Sequence, residues 1–285
     1  MPSAQPLGGR YVLTVLVVQG MLFALTALLM TRLMKWLRSG ERRLMETNRE
    51  LDRLSQQRRD FLQIALHNLR SPVGAVSMHL NNLSSGHGGE LTDQQHAWIE
   101  RCRERIDELN AFLKDLESLS AVEAGALDKH VQRVELKPLL RGLVDENQDL
   151  AQAHDLALRL DITNGVAPVQ GIPRLIREAV VNLITNAIKY SLDGGDIVVR
   201  AVERGDFVRV EVHDQGVGIS EEDQQRLFQE FVRVHKKDPK LADVPGSGLG
   251  LFLVRQIVEA HGGRVDLESA PGQGSTFAID LPAAK

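Results

Sequence analysis

Glu178, Asn182 and Asn186 stand four residues apart in the segment 178–191 (EAVVNLITNAIKYS), so a helix sets them on one face, each a turn beyond the last. An amide oxygen is the hard neutral donor that Mg²⁺ accepts beside phosphates and water. Lys189 adds positive charge suited to phosphate, and Tyr190 an aromatic wall suited to a purine. Three glycine-bearing segments follow: 214–219 (DQGVGI), 246–251 (GSGLGL) and 272–277 (GQGSTF). Asp214 ends an alternating run, where its carboxylate can accept a hydrogen bond from the adenine amino group while Gly216 and Gly218 let backbone approach the base. Gly246, Gly248 and Gly250 lead into an apolar helix over 251–260, which turns backbone N–H groups and a helix N-terminus toward phosphates. Each motif alone is weak. Their order, after an outward histidine, says that ATP is bound late in the chain and that its phosphate is moved to His67.

His67 must be carried by an element that keeps it in solvent. Over 61–83, Leu62, Ala65, Leu69, Val76, Leu80 and Leu83 fall at three-and-four spacing and share one helix face, and His67 lies roughly 170° from its centre. Ser71, Gly74 and Met78 continue the outward stripe as a docking surface. Pro72 lacks an N–H and crowds the carbonyl of Asn68, which predicts a bend just beyond His67. Residues 81–91 break the helix, and Thr92 with Gln95 has the form of a capping box opening a second one. Its seam is Ile99, Cys102, Ile106, Leu109, Leu113 and Leu116, so the lone Cys102 is expected in the core. Two helices with one narrow seam each are expected to pair with a second copy as a four-helix bundle.

The stretch 11–31 has no charge and is long enough to cross a hydrocarbon core of about 30 Å. A cleaved signal peptide is the alternative, but its apolar core usually runs about 7–15 residues and ends in a small-residue site. Arg32, Lys35, Arg38, Arg42 and Arg43 follow the stretch and only Arg10 precedes it, which places the bulk of the chain in the cytoplasm. Leu37, Leu44 and Leu51, with Leu54 and Phe61 on a second row, suggest a short coiled-coil linker; a single solvated amphipathic helix is the alternative. A net charge of -4 and a pI near 6.2 argue against direct nucleic-acid binding, and one cysteine excludes an internal disulfide.

From about Leu136 the pattern gives a helix over 138–153, strands near 156–162, 196–202, 207–213, 264–268 and 275–281, and helices between them. With the box His67-Asn68-Leu69-Arg70-Ser71-Pro72 upstream of the four motifs, the chain from 61 to 281 resembles the sensor histidine kinases of bacterial two-component systems. Its ATP-binding half is similar to the gyrase, mismatch-repair and chaperone ATPases. The fold class implied is α+β: one transmembrane helix, a dimeric four-helix-bundle hairpin, then an α/β sandwich of the Bergerat type that binds ATP. The expected divisions are a tail 1–10, a membrane helix 11–31, a linker 32–60, a phosphotransfer hairpin 61–125 and a catalytic domain 126–285.

The resemblance implies that Asn186 ligates Mg²⁺, that Asn182 assists, and that Glu178 holds a metal-bound water. It makes Asp214 the adenine reader, braced by Thr276 from a neighbouring strand. It assigns 228–245 as an ATP lid anchored by Phe228 and Phe231, with Arg233 at a basic family position. Lys236 and Lys237 neutralise phosphate there or are a solvated charge run. Leu249 completes the phosphate loop. His67 would pass its phosphoryl group to an aspartate of a separate response regulator, in a homodimer held in the bacterial inner membrane. Two residues depart from the family: Asn68 stands where Glu or Asp usually acts as base, and Ser71 where Thr or Asn usually stands. Slowed autophosphorylation is the expectation; an ATP-binding signalling scaffold that leaves His67 unmodified is the alternative, and an ATP-driven clamp a third reading.

Overall fold

The computed structural model describes residues 9–86, 89, 91–123, 131–162, 165–234, 241, 244 and 246–284. The chain divides into two compact units between Arg58 and Arg59. The first is helical and carries one stretch, Leu16–Glu50, with a mean hydropathy of 1.8, apolar and long enough by composition to cross a membrane. Its described side chains are exposed.

The second unit begins within the same helix, α1 (Gly9–Ser84), which pairs with α2 (Asp93–Glu123). Helix α1 continues through Pro72, which is itself exposed. The capping box forms as expected: the Thr92 N–H donates to Gln95 Oε1 at 2.8 Å, and the Gln95 N–H to Thr92 Oγ1 at 3.3 Å. Between the helices the buried residues are Leu66, Val73 and Leu113, with Ile106 and Leu116 packed against them. The apolar face expected on α1 is therefore two rows of period seven. Leu66 and Val73 close the hairpin, while Leu69, Val76 and Leu83 are 50%, 46% and 39% exposed. A single face of period 3.6 passes over Leu66 and Val73, whose spacing of seven fits a heptad. Cys102, expected in the seam, is exposed.

A five-stranded mixed sheet follows, built from β2 (Leu156–Ile162), β4 (Gly195–Arg204), β5 (Phe207–Asp214), β7 (Ser275–Pro282) and β6 (Arg264–Ser269) in that spatial order. Strands β2 and β4 are parallel, and every other neighbour is antiparallel. Alternation decides the faces. Ile197, Val199, Val208, Val210, Val212, Ile279 and Leu281 point into the core. They meet α3 (Leu136–Ala153), α4 (Pro173–Tyr190) and α6 (Gly250–Ala260). The opposite face is polar: Arg209 bonds Asp280 at 2.7 Å and Asp266 at 3.0 Å, and Arg264 bonds Asp280 at 2.7 Å.

Two further strands, β1 (Gln132–Val134) and β3 (Val169–Gly171), form a small antiparallel pair that periodicity cannot reveal in three residues. A single turn, α5 (Glu221–Gln224), follows β5. Leu119 and Val122, at the end of α2, belong to the same core as the sheet. The boundary expected between 125 and 126 lies outside the described residues.

Candidate functional site

Helix α4 presents two stripes. Ile176, Ala179, Val180, Leu183, Ile184 and Ala187 are buried against the sheet and α6. The stripe between them, Glu178, Asn182, Asn186, Lys189 and Tyr190, lines a cleft of about 1670 Å³ together with Asp214, Gly218, Arg233, Gly246, Gly248 and Gly250. The four motifs thus converge on one space, large enough for a nucleotide.

At one end is Asp214. Its Oδ1 accepts from the Gly216 N–H at 2.9 Å and the Ser275 N–H at 3.2 Å. Burial pushes its carboxyl above the usual carboxylate range, against the pull of those two bonds. Tyr190 stands beside it, and its carbonyl accepts from the Val217 N–H at 3.2 Å. Gly216 does not line the cleft; a side chain there would strike the Tyr190 carbonyl, so its role in the structure is to let the loop close over α4.

Thr276 does not brace Asp214. The register opposes Asp214 to Ser275 and His213 to Thr276, so Thr276 faces the polar side of the sheet and its hydroxyl meets His213 Nδ1 at 2.9 Å. The Ser275 backbone is the brace. A one-residue step along a strand changes the face.

At the other end, Asn182 donates from Nδ2 to the Glu178 carbonyl at 3.1 Å, which turns its amide oxygen toward Gly250. A Cβ at Gly250 would lie 2.7 Å from that oxygen. Gly248 has φ +76 and packs on the backbone of Phe231 and Val232. Leu249 is buried beneath the loop rather than in the cleft, and its N–H donates to Ser247 Oγ at 3.1 Å. Arg233 donates to the Val244 carbonyl. Phe228 packs on the core as expected, whereas Phe231 is 57% exposed and in a left-handed conformation, φ 59. Lys236 and Lys237 lie outside the described residues.

His67, Asn68 and Ser71 are exposed on α1 and are not among the residues that line the cleft. What lines it instead, unforeseen, is α2. Glu108, Phe112, Lys114 and Asp115 face the cleft. Asp115 Oδ2 accepts from Ser247 Oγ at 3.1 Å, and Ser118 Oγ donates to Glu178 Oε2 at 2.6 Å. Burial pushes the Asp115 carboxyl up and the Lys189 ammonium down. These contacts join residues far apart in the chain, and nothing in the spacing along α2 announces them.

Residues 57–125 match the His Kinase A (phospho-acceptor) domain, and 171–285 the histidine kinase-, DNA gyrase B- and HSP90-like ATPase. The adaptive-response sensory kinase SasA of Crocosphaera subtropica is 33% identical over 259 residues, covering 86% of this chain and 66% of that protein. The circadian input-output histidine kinase CikA of Synechococcus elongatus is 32% identical over 225 residues, covering 78% of this chain and 30% of that protein. In fold, the chain is similar to full-length ShkA solved with AMPPNP, at a TM-score of 0.65, 24% identity, and coverage of 79% of this chain and 46% of that one. A phospho-acceptor helical hairpin followed by an α/β ATP-binding domain defines a histidine kinase. This chain belongs to the bacterial sensor histidine kinases. It spans from 30% to 66% of the length of these two relatives.

Proposed function

We propose that the chain is an ATP-dependent protein histidine kinase, active as a homodimer, anchored in the bacterial inner membrane by its N-terminal helix with the catalytic part in the cytoplasm. The observation that carries this reading is the convergence of the α4 stripe, Asp214 and the glycine loop on one cleft, in a chain whose hairpin exposes His67.

In this reading Asp214 accepts the adenine amino group at Oδ2, since Oδ1 already takes two backbone N–H groups. Tyr190 flanks the base. The turned-out Asn182 oxygen, Asn186 one turn on and the Glu178 carboxylate form a hard oxygen set that fits Mg²⁺, with Asn186 as the direct ligand. The ion neutralises phosphate charge when bound. Lys189, Arg233 and the N–H groups of 246–250 hold the phosphates. A His67 ring nitrogen attacks the γ-phosphorus in line, the bond to the β-phosphate oxygen breaks, and ADP leaves. The phosphoryl group then moves to an aspartate carboxylate of a response regulator, which restores His67. Asn68 can orient the imidazole by a hydrogen bond but cannot take a proton, which is expected to slow the first step by about 10²-fold or more.

The test is incubation of the full chain in detergent with Mg²⁺ and γ-labelled ATP, beside His67→Gln and Asn68→Glu. Acid-labile, alkali-stable label that is absent in His67→Gln and increased in Asn68→Glu is the expected result. ATP binding without label in any of the three would replace the kinase by the scaffold that Asn68 favours.

A further inference from the structure

Helix α2 holds the nucleotide cleft through two side chains, three residues apart and so on one face of the helix. Ser118 donates to Glu178, and Asp115 accepts from Ser247. Ser247 sits between Gly246 and Gly248, in the loop that opens α6, and its oxygen also accepts from the Leu249 N–H. The charged groups that act on the Asp115 carboxylate are Glu178, Lys114 and Lys189. Lys189 in turn feels Asp115, Glu108 and Arg233. A carboxylate is thus placed where the glycine loop would otherwise meet an anionic ligand.

We propose that Asp115 is an internal occupant of the phosphate end of the cleft, competing with the nucleotide's phosphates for the Ser247 hydroxyl. This rests on the nucleotide reading of the cleft. Two anions cannot share the one proton of the Ser247 hydroxyl without strong repulsion. Nucleotide binding and the contact of α2 with the glycine loop therefore oppose each other. By linkage, whatever loosens α2 from the loop raises nucleotide affinity, and nucleotide loosens α2 by the same factor. Asp115 sets how tightly the triphosphate is held and couples that affinity to the hairpin that carries His67.

The test compares a Mg²⁺-bound non-hydrolysable ATP analogue with adenosine, by calorimetry on the full chain in detergent. Asp115→Asn keeps an oxygen to accept from Ser247 but removes the charge; Asp115→Ala removes both. Glu100→Gln, an exposed acid of the same helix that pairs with Arg103 and does not line the cleft, is the control. Both Asp115 variants are expected to bind the ATP analogue roughly tenfold more tightly than the parent chain, with adenosine affinity unchanged in them and analogue affinity unchanged in Glu100→Gln. Equal or weaker analogue binding by both Asp115 variants would overturn the inference while leaving the nucleotide site standing. An equal gain for adenosine would also overturn it, since the effect would then be access to the cleft and not competition for phosphate. If the parent chain binds neither ligand, the nucleotide reading falls and the inference with it.

Discussion

Asp214 shows both what a motif yields and where it stops. Its identity and its position at a strand end are legible in the sequence, because an acid followed by two spaced glycines leaves few roles for the carboxylate. Its brace was not legible. The choice between Ser275 and Thr276 depends on the register of β7 against β5, and two adjacent hydroxyl residues give the pattern no means to fix it. Thr276→Val is expected to leave nucleotide affinity within about twofold, whereas Asp214→Asn, which turns a required acceptor into a mixed donor and acceptor, should weaken it by about 10²-fold. Equilibrium binding of a fluorescent adenine nucleotide to both variants checks the pair. An equal loss in the two would return Thr276 to the site.

The strands were visible by alternation and the long helices by their apolar stripes. The cap of α2 was visible too, since Thr92 and Gln95 act on each other within a single turn. What alternation did not reveal is that the outer sheet face is closed by charge. Burial pushes the Asp280 carboxyl up, but bonds from Arg209 and Arg264 outweigh this and hold it below its ordinary value. A carboxyl with a depressed folded value binds fewer protons folded than unfolded. Its stabilisation is therefore whole at neutral pH and is lost as pH falls below the ordinary carboxylate range toward the folded value. Asp280→Asn, which leaves the buried Arg209 short of a partner, should cost about 2–3 kcal/mol at pH 7. Urea unfolding at pH 7 and again near pH 3 is expected to show the gap between variant and parent closing on acidification; a gap that persists would assign the loss to packing.

The hairpin's two rows of period seven divide the labour of association. Leu66 and Val73 are satisfied within the chain, while Leu69, Val76 and Leu83 form an apolar row that the single chain leaves in water. Histidine kinases generally dimerise; with this row as the contact of the proposed homodimer, Leu69→Glu with Val76→Glu is expected to lower the mass in light scattering to that of a monomer, with the helical circular dichroism retained. An unchanged mass would place the contact elsewhere.

The sharing of Leu119 and Val122 between α2 and the core beneath the sheet has a consequence for how such proteins can be recombined. The phospho-acceptor and ATPase segments look like interchangeable parts when each is recognised separately. A splice made after 125 in this chain would bring in a foreign helix end beneath a native sheet, and each mismatched side chain would leave a void or a clash worth about 1–3 kcal/mol. The end of α2 travels with the ATPase domain, and because Leu66 and Val73 of α1 pack on Leu113 of α2, a graft that spares both cores carries the whole hairpin with it.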